Sequence, residues 1–143
     1  MNSTKDLTWA KLTASILFET ILGLMGGFIC GMGGAVLLGV VYKINDPSFG
    51  DIIGALLGFG VVYTCTMPVI VYLTGTRLFK RRSSFWMVIL ASVCGELAVL
   101  TLAEPLRLNL KPQLLTISFL LVPLALTVIT FNYGSTRRII KKN

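Results

Sequence analysis

GLMGGFICGMGGAVLLG, running from Gly23 to Gly39, decides the fold. Small residues stand at every fourth position, Gly23, Gly27, Gly31, Ala35 and Gly39, in the pattern of a glycine zipper. In water each glycine would weaken a helix by roughly 1 kcal/mol relative to alanine, because it has more backbone entropy to lose. In lipid the same row forms a groove where a second helix can come unusually close. The stretch carries no charge. It reads as part of a membrane helix.

The rest of the chain agrees. Its 143 residues are 55% hydrophobic and 13% charged, with a mean hydropathy of +0.82. A soluble domain carries about 25% charged residues. Four apolar stretches, about 15–42, 50–74, 84–103 and 113–131, hold the excess. Each meets the requirement of about 20 residues to cross roughly 30 Å of hydrocarbon. The first is longer than it needs to be and is expected to tilt or to extend beyond the bilayer. The connections are short, which predicts one all-α integral membrane domain over 1–143, with four transmembrane helices.

A net charge of +7 would point a soluble protein toward nucleic acid. Here the distribution gives a different answer. If the four stretches span, ten of the 13 basic residues share one side: Lys5, Lys11, Arg77, Lys80, Arg81, Arg82, Arg137, Arg138, Lys141 and Lys142. Lys43, Arg107 and Lys111 fall on the other. This bias predicts that both termini are cytoplasmic, in an inner (cell) membrane protein. Trp9, Trp86 and Tyr42 fall at helix ends, where interfacial anchors belong. Arg77, Lys80, Arg81, Arg82, Arg137 and Arg138 are candidates to face anionic lipid head groups, at about 1 kcal/mol per charge. No nucleic-acid partner is expected.

Cys30, Cys65 and Cys94 all fall within the apolar stretches, without a CxxC pair, and the chain has no histidine. That pattern excludes the usual zinc sites and predicts small apolar packing roles for the thiols. Ser–His and Cys–His catalysis is excluded with histidine. There is no GxSxG, no phosphate-binding loop and no acidic metal cluster. No enzymatic activity, metal or cofactor is expected.

Helix two repeats the small-residue device at Gly50, Gly54 and Gly58, after the short turn Asn45-Asp46-Pro47-Ser48. Counting from that turn at 1.5 Å per residue places Gly39, Ala35 and Gly31 opposite Gly50, Gly54 and Gly58. An antiparallel hairpin with direct backbone contact follows. Gly26, Gly33 and Gly34 thin a second face of helix one, and Pro68 and Pro123 should kink helices two and four. Those kinks free the carbonyls of Thr64 and Phe119.

Two acidic residues fall inside the spans. Glu96 lies near the middle of helix three, where an ionisable group marks a functional site by default. Tyr63 and Ser92 fall at similar depth, so a hydrogen-bonded cluster of Glu96, Tyr63 and Ser92 is a candidate intramembrane polar site. Glu19, about 6 Å inside the start of helix one, reads as an interfacial carboxylate within reach of Arg77 or Arg82. The expected function is tight helix packing, as a homo-oligomer or an accessory or assembly subunit of a membrane complex. The partners would be membrane lipids and either itself or another membrane protein. The alternative is a transporter or channel component for protons, small cations or lipids that uses Glu96.

Overall fold

Four long helices follow one another with short connections. They are α1 (Ser3–Asn45), α2 (Gly50–Leu73), α3 (Phe85–Ala103) and α4 (Pro112–Ile140), with a π-helical turn, Thr74–Leu78, closing α2. The computed structural model describes the backbone of residues 3–45, 50–81, 83–107 and 110–140. It describes the side chains of 10–41, 52, 54–81, 83–107 and 110–133. The expected turn at 46–48, the anchors Trp9 and Tyr42, and Arg82, Arg137 and Arg138 lie outside the described backbone or side chains. All four helices hold a segment long and apolar enough to cross a membrane: Ala10–Val41, Gly54–Leu78, Phe85–Ala103 and Pro112–Tyr133.

Two helices outrun their apolar stretches. Residues 3–11 are polar but contain neither glycine nor proline, and α1 continues through them. It is described as far as Asn45, two residues before Pro47 in the sequence. At 43 residues, α1 is about 65 Å long at the standard rise. Pro112 opens α4 at the first helical position, where its missing N–H costs nothing. The side chains facing outward are apolar: Leu17, Ile29 and Leu37 on α1, Leu56 on α2, Leu97 on α3 and Ile129 on α4 are all exposed. A surface of this kind suits hydrocarbon.

The helices pair as two hairpins, α1 with α2 and α3 with α4. Gly23, Gly27 and Gly31 face α2. A Cβ added there would stand 2.7 Å from Val71 Cγ2, 2.8 Å from Met67 Cβ and 2.9 Å from Phe59 Cε2, respectively. The closest backbone approach, however, is off the row. A Cβ on Gly34 would lie 2.5 Å from Gly58 O, and one on Gly58 would lie 2.7 Å from Gly34 C. Gly58 thus meets Gly34, where counting from the turn had placed Gly31. The large side chains of Phe59, Tyr63 and Met67 fill the row and set the offset. In the second hairpin Gly95 has the same role, a Cβ there falling 2.7 Å from Pro123 Cα.

The shared core consists of Tyr63, Met67, Val71, Val88, Leu124, Val128 and Phe131. It lies toward the end of the bundle where α2 ends, α3 begins and α4 runs out. Tyr72 stands edge-on to both Phe85 and Phe131 and ties the connection between the hairpins to this core.

Candidate functional site

Two carboxylates lie inside the spanning segments, and their surroundings differ completely. Glu19 is fully buried. Its Oε1 accepts the Ser15 hydroxyl at 2.6 Å, one helical turn earlier. Its Oε2 accepts Asn132 Nδ2 of α4 at 2.7 Å. Asn132 also donates to Val128 O at 2.8 Å, and its own side-chain oxygen receives Arg81 Nη1. A Cβ on Gly75, within the π-helical turn, would collide with the Phe131 ring and stand 3.0 Å from Glu19 Oε1. Glycine there makes room for both. The network is closed: among the described residues no buried side-chain polar atom lacks a partner.

Nothing in the sequence spacing linked Glu19 to Asn132, 113 positions away. The available signal was an amide, Asn132, placed directly after the apolar run that ends at Phe131. Arg81, a candidate for lipid head groups, is turned inward to Asn132. Arg77 and Lys80 are exposed.

Tyr63 and Ser92 are both buried, and each hydroxyl goes to a backbone carbonyl beside a helix-breaking proline. Ser92 Oγ donates to Thr64 O at 3.2 Å. That carbonyl is the one Pro68 deprives of its helical N–H partner. Tyr63 OH donates to Leu120 O at 2.7 Å, one residue beyond the carbonyl freed by Pro123. Unpaired carbonyls are expensive in hydrocarbon, and neighbouring helices commonly supply the missing donor. Tyr63, Ser92 and Glu96 therefore share a region without bonding to one another.

Glu96 is half-buried, and among the described residues no hydrogen bond or ion pair engages it. Its carboxylate borders a half-open cavity of about 670 Å³ between α2, α3 and α4. Gly60 creates the niche: a Cβ there would stand 3.3 Å from Glu96 Oε1 and 3.5 Å from Phe119 Cζ. Leu57, Leu97, Leu100 and Leu115 supply much of the remaining wall. Leu56, Val61, Leu97 and Leu100 are also strongly exposed, so the mouth opens through the lipid-facing surface. Volume, apolar lining and a sparse polar complement match small-molecule sites, which run about 300–1,000 Å³. Cys65 lines this cavity, and all three thiols are exposed rather than packed inside, contrary to the expectation for small apolar residues.

Comparison with protein-family models, curated proteins and solved structures finds no match to this chain. The functional reading rests on the two carboxylates and the cavity.

Proposed function

We propose that the protein is a multi-pass membrane binding or transport component that takes a small amphiphilic ligand into the cavity between its hairpins, with Glu96 as the polar contact. One observation carries this reading. An intramembrane carboxylate without a partner among the described residues faces a ligand-sized apolar cavity, while Glu19 is completely satisfied. Ionisable side chains at membrane depth are costly and mark ligand or ion pathways. The charge asymmetry supports an orientation with both termini in the cytoplasm. The mouth would then face the outer half of the bilayer.

A helix from another protein fits the cavity less well. A spanning helix 30 Å long and about 10 Å across displaces roughly 2,400 Å³, several times the space present. The test is purification in lipid nanodiscs, followed by extraction and mass spectrometry of bound small molecules. An amphiphile held by the wild type and lost in Gly60→Val, which fills the niche, supports the reading. Equal recovery from both proteins refutes it.

Assembly is a second reading. Among the described residues nothing lies within 4 Å of the Gly33 Cβ position, unlike Gly23, Gly27, Gly31 and Gly34, which α2 of the same chain already covers. A close neighbour at Gly33 would make the protein an oligomer or an accessory subunit. Native mass measurement on the wild type and Gly33→Leu tests it. A monomer in both removes self-assembly, and the absence of a stoichiometric co-purifying protein removes the accessory role.

A further inference from the structure

The chemical class of the ligand follows from what the cavity can offer it. Among the described residues, four side chains with polar atoms line it: Thr64, Cys65, Glu96 and Thr116. Thr64 donates its hydroxyl proton to Gly60 O at 2.7 Å, and Thr116 donates to Pro112 O at 2.9 Å. Both threonine donors are committed to their own helices. A thiol is only a weak donor. Among the described residues no lysine or arginine lines the space. The wall therefore presents acceptors, chiefly the two oxygens of Glu96, and almost nothing that donates.

The one formal charge in the lining is negative and has no counter-ion among the described residues. Phe119 approaches the same point of α2 as the carboxylate, with Cζ and Oε1 at 3.5 and 3.3 Å from the Gly60 Cβ position. A cation beside Glu96 would thus lie near the Phe119 ring, whose face would attract positive charge if turned toward it. Carboxylates, phosphates and sulfonates would find no cationic donor among the described lining residues. An ammonium group finds a charge partner beside the Phe119 ring, and its apolar body finds leucine walls and a lipid-facing mouth.

Resting on the proposed ligand-binding function, we infer that the cavity takes amphiphilic amines: a cationic N–H head group at Glu96 with a hydrocarbon body along α2, α3 and α4. The head group donates to the carboxylate, and no covalent step is involved.

The test is scintillation-proximity binding of tritiated dodecylamine to the purified full-length protein in zwitterionic nanodiscs. Dodecanoate and dodecanol serve as unlabelled competitors, and tritiated forms of both are run in parallel. Saturable dodecylamine binding is expected, weakened about tenfold or more in Glu96→Gln, as for loss of a charge-assisted bond. Glu96→Asp, which keeps the charge, should retain most of it, and neither competitor should displace the amine at equal concentration. Dodecanoate or dodecanol binding as tightly as the amine, or unchanged amine binding in Glu96→Gln, overturns the amine assignment while leaving the cavity as a ligand site. If none of the three probes binds saturably, the ligand-binding reading fails with it. Unchanged size-exclusion profiles for Glu96→Gln and Glu96→Asp exclude misfolding as the cause of any loss.

Discussion

Replacing Gly34 with alanine should loosen the bundle, whereas the same change at its neighbour Gly33 should not. The two sites share a helix, a depth and a residue type, and differ only in what a Cβ would meet. At Gly34 it would stand 2.5 Å from the Gly58 carbonyl oxygen, where ordinary contact begins at 3.4 Å. The α1 and α2 backbones would have to separate by about 0.9 Å, because a backbone oxygen cannot rotate aside. Val62, which also crowds the site, is β-branched and stiff. Overpacking of this kind costs about 1–3 kcal/mol. Gly33→Ala meets nothing within 4 Å and should be neutral, or gain up to about 1 kcal/mol from helix propensity. The assay is reversible unfolding in mixed micelles by titration with SDS, followed by tryptophan fluorescence. A gap of at least about 1 kcal/mol between the variants is expected, roughly a fivefold change in the folded ratio. Equal midpoints would refute the Gly34–Gly58 crossing.

Three further outcomes follow from the polar bonds and the glycines. Glu19→Leu removes the acceptor of the Ser15 hydroxyl and one acceptor of Asn132 Nδ2, and should cost about 1–3 kcal/mol; in the same unfolding assay, Asn132→Leu should then cost less in the Glu19→Leu background than alone. Ser92→Ala should destabilise by about 0.6 kcal/mol, the average for interhelical bonds in membranes. That cost should vanish when Pro68→Ala returns an N–H donor to Thr64 O, and a double-mutant cycle without coupling would contradict the assignment. Gly75→Val drives a side chain into the Phe131 ring and toward Glu19, so it should lower the thermal midpoint more than Gly26→Ala, whose Cβ meets only the far end of Ile70. Size-exclusion chromatography after heating reads that comparison.

The four spans were legible because hydropathy and length determine them almost alone. The polar start of α1 and the end of α4 were not, since charge ends an apolar stretch without ending a helix. Glycine spacing along α1 pointed to α2, but counting residues from a turn does not fix register when Phe59, Tyr63 and Met67 occupy the row. The two acids were visible as residues, while their circumstances were not. Whether Glu96 is paired depends on the rotation of α3 about its axis, which one buried serine and Gly95 against Pro123 settle. Glu19 draws its partner from α4, and no local pattern encodes so distant a contact.

Three polar bonds between the hairpins have a consequence for biogenesis. Ser92 serves Thr64 O, Tyr63 serves Leu120 O, and Asn132 serves Glu19. Every one of these bonds crosses from the first hairpin to the second. As the chain leaves the ribosome, α1 and α2 enter the bilayer with a bare carbonyl, a tyrosine hydroxyl and a carboxylate all awaiting groups not yet synthesised. The half-made protein is therefore the form that an insertion chaperone would shelter and a membrane quality-control protease would recognise. Arrival of α3 brings Ser92 to the carbonyl, and α4 then supplies the partners of the tyrosine and the carboxylate.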